Sequence, residues 1–422
     1  MYTGFADSYF LKHTFLIPQI TEPPAGLLCY CVVIPAYMEE NLVITLNGLK
    51  KADKPKGDIE VLTVINFSES DTKENKLWSI KQYNDLTEWS KNHLDSRIRF
   101  WIILADDLPK KHAGAGLARK IGMDLALQRF NRINNSNGII LSLDADTQIE
   151  DNYFTAIETY FTGMPDAGGC IIRFAHSFNE DFISEDIKKA ITGYELHLRY
   201  YKNILHHIGF PFARYTIGSC FGVRAGVYAR YGGMNKKKAG EDFYFLHKLF
   251  PHETFIEVNN TCVHPSSRPS LRVPFGTGPV IHKMMNSGSN ELLTYHPQAF
   301  YDLKKFLESV DTWYGNGPEK LRYLLEDFSD AIKEFLLNSS FLEKMEEIRQ
   351  NTATVSAFRK RFFLWFNGFR VVKYLNCVHS KYYTKIPVRQ AVLNFLSHMG
   401  KNIEDTGEYN LLIYLREIDS EN

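Results

Sequence analysis

No stretch of this sequence approaches the roughly 18 uninterrupted apolar residues that a membrane-spanning helix requires. The N-terminus carries Asp7, Lys12 and His13 where a secretory leader would carry its apolar stretch, so no leader is expected. Cysteine is scarce, six in 422 residues, which excludes a disulfide scaffold and points to reduced thiols in a cytoplasmic protein. Cys29 and Cys31, two apart in a predicted strand, read as core thiols rather than ligands. Charge of one sign has no excess either. Lys and Arg total 49, and Asp and Glu total 49, so net charge gives no reason to expect nucleic acid as a partner. Internal repeats and low-complexity tracts are absent as well.

What is present fits a folded protein of two units. The length exceeds what one ordinary core supports. Hydrophobic residues at 44% and charged residues at 23% exclude global disorder. Aromatics at 14% imply large packing surfaces, or faces suited to sugars, bases or lipid.

The first half alternates β-rich runs with helical spacing. Strands are expected at 27–34, 59–65, 98–104 and 139–143, with helices at 39–52, 71–93 and 114–130. This succession implies parallel βαβ units with both sheet faces covered. Ligands of such sheets sit beyond the carboxyl ends of the strands. The segments 35–40, 66–70, 105–107 and 144–146 occupy those ends, and all are polar. Further strands are expected at 168–175 and 254–263, and a helix at 186–206. Beyond about Pro297 the pattern is mostly helical. The expected organisation is an N-terminal extension 1–26, a catalytic domain 27–287 and a helical C-terminal region 288–422, with the border near Gly288.

Three segments carry chemistry. Asp144-Ala145-Asp146 leaves the end of a buried strand and offers two carboxylates to a hard divalent cation, Mg²⁺ or Mn²⁺, shared with substrate phosphates. A solvated acidic turn explains the same residues equally well. Glu241 and Asp242 open a helix after Gly240. There they either complement the helix dipole or supply a base for an attacking hydroxyl. His264 begins a loop rich in Pro, Arg, Ser and Gly that includes Arg268, Arg272, Gly276 and Gly278. Arg forks match phosphate oxygens, and a neutral imidazole is a common metal ligand. The run Gly114-Ala115-Gly116 lacks the third Gly and the Lys of the nucleotide fingerprints. It reads as close helix–sheet packing, with Arg119 a candidate to face the site.

Taken in order, these segments resemble the family-2 glycosyltransferases of GT-A fold. Val33-Ile34-Pro35-Ala36-Tyr37-Met38-Glu39-Glu40-Asn41 is similar to that family's first strand and nucleotide loop, with Met38 where Asn is usual. Asp144-Ala145-Asp146 matches its metal motif, and Gly240-Glu241-Asp242 its base motif. The resemblance covers roughly residues 28–280. It implies a Rossmann-like, mixed and mainly parallel sheet with helices on both faces, plus the helical C-terminal region.

The resemblance also implies roles. Pro35, Tyr37 and Glu39 would line the nucleoside pocket. Asn66 stands where many relatives carry a base-reading Asp, which leaves the base open. Asp144 would approach ribose and metal, Asp146 the metal, and His264 the metal or diphosphate. Arg268 and Arg272 would hold the diphosphate, Asp242 would be the base, and Glu241 would touch the acceptor. The implied partners are a nucleotide-diphosphate sugar donor and a saccharide, lipid-linked or small-molecule acceptor. The implied outcome is inversion.

Two alternatives stay open. A nucleotidyltransferase also pairs Asp residues on such a sheet, but Pro35-Ala36-Tyr37-Met38-Glu39 lacks the expected Gly and Lys. An inactive sugar-nucleotide-binding module is the other. Residues 348–403 contain no Asp or Glu and interleave Lys and Arg with aromatics. They would lie on an anionic membrane surface, hold an anionic acceptor, or pack as ordinary core with a solvated basic face. Ordinary packing is the favoured of the three.

Overall fold

The computed structural model describes residues 4–13, 20–178, 184–238, 240–268, 291–401, 403 and 406–421. Arg272, Gly276, Gly278 and the expected border near Gly288 lie outside the described residues. The chain divides into two compact units. One comprises Met1–Ser184, Thr216–His282 and Asp419–Asn422, the other Glu185–Tyr215 and Lys283–Ile418. The helix Glu185–His207 therefore belongs with the second unit, although it falls inside the 27–287 segment.

The first unit is built on one sheet of eight strands. These are β1 (Leu28–Ala36), β2 (Asp58–Ser68), β3 (Ile98–Leu108), β4 (Ile139–Ser142), β5 (Gln148–Ile149), β6 (Gly169–Phe174), β7 (Phe221–Arg224) and β8 (Phe255–His264). Their order is β3-β2-β1-β4-β7-β6-β8-β5. β3, β2, β1 and β4 run parallel, as do β6 and β8. β7 is antiparallel to both β4 and β6, and β5 is antiparallel to β8. The sheet is thus mixed and mainly parallel. β1 and β2 are buried at consecutive positions, as strands covered on both faces must be. Their Val, Ile and Leu content fits that setting. The helix Ala115–Arg132 packs so closely on β1 and β2 that a Cβ at Gly122 would fall 2.4 Å from Val33 Cγ1.

β5 and β7 escaped the sequence reading. β5 has two residues, too few for a period, and β7 lies inside a glycine-rich stretch that reads as loop. The helix Asp7–His13 was missed as well. Within the first unit, Tyr9 donates to Asp124 Oδ1 at 2.6 Å, and Lys120 Nζ bonds Asp124 Oδ2 at 2.8 Å. Arg129 and Glu60 form a fully buried bidentate pair at 2.6 and 2.7 Å. Arg129 also donates to the Glu22 carbonyl, and Glu60 accepts from Ala25 N. Tyr9, Glu22 and Ala25 of the nominal extension are tied to the first unit by these bonds.

The second unit is mostly helical. Leu293–Thr294 and Ile386–Pro387 form a small antiparallel pair. Helices include Glu185–His207, Pro297–Glu308, Asp330–Asn338, Phe341–Gln350, Val355–Trp365, Gly368–His379 and Val388–His398. Glu195 is sealed from solvent and held by Arg199 and Arg416. Of the aromatic residues of 348–403, Tyr374 and Phe395 join four phenylalanines in the core, while Trp365, Phe369, Tyr382 and Tyr383 stay half-buried. Phe358, Phe362, Phe363 and Phe366 are buried, and Phe306 lies 5.7 and 5.2 Å from the rings of Phe362 and Phe366. The buried rings serve packing, as the favoured reading of this segment expected. Several basic partners are paired, Arg359 with Asp311, Arg349 with Glu346 and Lys381 with Glu334. Among the described residues, no helix is long and apolar enough to cross a membrane.

Candidate active site

The parallel strands deliver polar residues to one end of the sheet. β1 ends at Ala36, whose carbonyl accepts from Asn66 Nδ2 at 2.8 Å. Asn66 is therefore buried and spent on bracing the β1 end. Two residues on, Met38 adopts φ 49°, the left-handed region that Asn and Gly enter more readily. That conformation turns the chain so that Glu39 points inward. Glu39 is nearly sealed, and its Oε1 accepts from Asn41 N at 3.1 Å and from Arg268 Nη2 at 2.6 Å.

β4 ends at Ser142, and the chain bends through Asp144, Ala145 and Asp146. Thr45 Oγ1 donates to the Ala145 carbonyl at 2.9 Å and fixes the bend. Asp144 and Asp146 keep 39% and 31% of their side chains exposed, so both remain reachable. Asp146 Oδ2 lies 3.4 Å from Arg268 Nη2. Arg268 thus bridges Glu39 of the expected nucleoside pocket and Asp146 of the expected metal pair. The carboxylates raise its pKa against the opposing effect of its partial burial.

Arg119 stands between the Asp144 and Glu241 motifs. It is buried, and every nitrogen of its guanidinium is engaged within the protein. Nε donates to Glu241 Oε1 at 3.2 Å, Nη1 to Ser142 Oγ at 2.6 Å and to the Gly218 carbonyl at 3.1 Å, and Nη2 to Asp144 Oδ1 at 2.8 Å. Burial alone would depress its pKa, but Asp144 and Glu241 outweigh that and raise it. One cation therefore joins the Asp144 motif to the Glu241 motif, which lie 97 residues apart in the chain. Gly218 must be glycine for this. A Cβ there would stand 2.7 Å from Arg119 Nη2 and 3.3 Å from Asp242 Oδ2. Ser142 and Gly218 escaped the sequence reading. A small residue at the end of a buried strand was the only signal for the first, and the second contributes a backbone atom that no side-chain pattern reveals.

Glu241 and Asp242 open the helix Glu241–Leu249 after Gly240, which takes φ 66°. Asp242 Oδ1 accepts from Phe243 N at 2.7 Å. Burial, reinforced by the neighbouring Glu241 charge, pushes the Asp242 pKa from 3.8 up to about 7, against the lowering effect of Arg119. An acid titrating there can hold or release a proton near neutral pH.

The donor set suits a hard cation. Asp144 and Asp146 supply oxygen, and the bond from Arg119 engages only Oδ1 of Asp144 among the described residues. His264 ends β8, where Nδ1 meets the Ala175 carbonyl at 2.9 Å and Nε2 lies 3.8 Å from Glu150 Oε1. Glu150 and Cys262 beside it were not anticipated. The fold therefore gathers Pro35, Glu39, Asn66, Arg119, Asp144, Asp146, Glu241, Asp242 and Arg268 around the carboxyl ends of β1, β2 and β4, and sets His264 on the adjoining strand.

No protein-family model matches the sequence, and no curated protein matches it. Among solved structures, the chain is similar to S. aureus TarS. The crystal structure with UDP-GlcNAc has 14% identity and a TM-score of 0.38, over 93% of this chain and 90% of that one. The complex with UDP has 14% identity and a TM-score of 0.37, over 68% and 78%. A further crystal structure, of S. aureus TarS 1-349, has 14% identity and a TM-score of 0.39, over 76% and 92%. These values describe a distant likeness, and the chemistry proposed for this chain rests on its own residues.

Proposed function

We propose that this chain is a metal-dependent glycosyltransferase of the GT-A type, moving a sugar from a nucleotide-diphosphate donor to an acceptor hydroxyl with inversion. The observation that carries the reading is the Arg119 bridge. Arg119 bonds both Asp144 and Glu241, the neighbour of Asp242, and this supports reading the two acidic motifs as parts of one site.

Asp144 and Asp146 would hold the divalent ion. When bound, the ion would offset the negative charge that builds on a diphosphate leaving group. Pro35, Tyr37 and Glu39 would line the nucleoside pocket. Arg268 is paired with Glu39 and Asp146, and its fork suits diphosphate oxygens once a donor enters. Asp242 would take the proton from the attacking hydroxyl. Its pKa near 7 lets it be ionised before attack and still hold the proton afterwards. Glu241 is buried against Arg119, so its role would be to position Asp242 rather than to touch the acceptor.

The test is calorimetric binding and turnover with UDP-, GDP- and dTDP-sugars, UDP-GlcNAc among them, with and without Mn²⁺. One nucleotide is expected to bind only with metal and to be slowly hydrolysed. Asp146→Ala is expected to lose the metal-dependent part of binding. Unchanged affinity in Mn²⁺ would remove Asp146 from the metal. Binding without any turnover would instead favour the inactive module.

A further inference from the structure

β5 and β8 pair antiparallel, with Gln148 opposite His264 and Ile149 opposite Val263. Side chains alternate along a strand, and directly paired residues share a face. Glu150, one residue beyond β5, therefore comes opposite Cys262, and Glu150, Cys262 and His264 share one face. The backbone confirms the extension of the pairing, since Glu150 N donates to the Cys262 carbonyl at 3.3 Å. One ligand atom from each residue lies within 4.8 Å of the other two.

We infer that Glu150, Cys262 and His264 form a second metal site, for a borderline cation such as Zn²⁺, separate from the oxygen site of Asp144 and Asp146. The donor chemistry differs between the two. Two carboxylates favour Mg²⁺ or Mn²⁺, whereas a thiol, an imidazole and one carboxylate favour Zn²⁺ or Co²⁺. The imidazole is already prepared. Nδ1 faces the Ala175 carbonyl at 2.9 Å, so in the neutral ring it carries the proton and Nε2 keeps its lone pair. That Nε2 stands 3.8 Å from Glu150 Oε1. With bonds of about 2.0–2.3 Å, neighbouring ligands of a tetrahedral Zn²⁺ lie about 3.3–3.7 Å apart. Small side-chain rotations close the difference. Glu150 is oriented by its second oxygen, which accepts from Cys262 N at 3.1 Å.

Access and burial are divided in a useful way. Glu150 and His264 keep 46% and 33% of their side chains exposed, giving an ion a way in, while Cys262 closes the inner side. On binding, the Cys262 thiol gives its proton to solvent and coordinates as thiolate, Glu150 binds as carboxylate, His264 binds as neutral imidazole, and water fills the fourth position.

The experiment uses the full chain, stripped of metal under a non-thiol reductant and titrated with Co²⁺. One equivalent is expected to produce a thiolate-to-cobalt charge-transfer band that Zn²⁺ then bleaches. Cys262→Ser is expected to abolish the band, and Asp146→Asn to leave it intact. A wild-type protein without the band overturns the inference, as does a band that survives Cys262→Ser or vanishes in Asp146→Asn. If Cys262→Ser disturbs folding by circular dichroism, Glu150→Gln and His264→Gln decide the matter, because both side chains reach solvent. Each is expected to weaken Co²⁺ affinity by roughly a hundredfold. Unchanged affinity in either overturns the site.

Discussion

Asp242→Asn offers a test in which stability and catalysis move in opposite directions. The substitution keeps the shape of the side chain and its acceptor for Phe243 N but removes the titration. In the folded protein the Asp242 pKa is raised, from 3.8 to about 7. The stability that this carboxyl contributes is thus fully present below pH 3.8, where both states are protonated, and is lost as pH rises through about 7. Between about pH 5 and 8.5 the wild type crosses the upper part of that window, about two pH decades at ~1.4 kcal/mol each. That sets a ceiling of about 3 kcal/mol. Asp242 is not wholly sealed from water, so a loss of about 1–3 kcal/mol is expected.

The Asn variant escapes this loss. Its midpoint relative to wild type should climb between those pH values by roughly 2–12 °C, at about 2–4 °C per kcal/mol for a unit of this size. Differential scanning calorimetry in matched buffers measures the difference. Transfer should meanwhile fall by about 10²–10⁴, the range for loss of a general base. A midpoint difference that stays constant with pH would refute the buried, proton-binding Asp242, whatever happens to activity.

Arg119→Met should destabilise the first unit by about 3–5 kcal/mol in urea unfolding, because Asp144 and Glu241 lose their shared cation. Arg119 also holds the Asp242 pKa down, so the acid limb of the pH–rate profile should move to higher pH in this variant, and an unmoved limb would detach Arg119 from the base. Met38→Asn should stabilise the protein by roughly 1 kcal/mol, since Asn enters the left-handed region that Met38 occupies at φ 49° with less strain. Equal denaturation midpoints for the two proteins would mean that this loop carries no such strain.

The alternation of strands and helices through residue 143 was legible because each element is long enough to repeat its own period. β1 and β2 read as continuous Val, Ile and Leu, and both faces of each are covered. Asp144, Asp146, Glu241 and Asp242 were legible as candidates because each pair sits at a strand end or a helix start. For the aromatic residues of 348–403 the sequence favoured packing but could not name the partner, since Phe362 and Phe366 lie against Phe306, more than 50 residues away.

The sequence by itself determined the longer strands and helices of the first half, and that acidic residues stand where parallel strands end. Those are local properties, set by the period of apolar residues and by turn chemistry. Only the tertiary structure decided what each charge does. Arg119 looked like a residue facing a ligand and became a buried tie between Asp144 and Glu241. Asn66 stands where many relatives carry a base-reading Asp, and its Nδ2 braces Ala36. His264 came to stand beside Glu150 and Cys262 because β5, two residues long, pairs with β8. Hydrogen-bond partners and pKa values depend on which strands become neighbours, and the antiparallel insertion of β7 between β4 and β6 is a long-range pairing that no local period encodes.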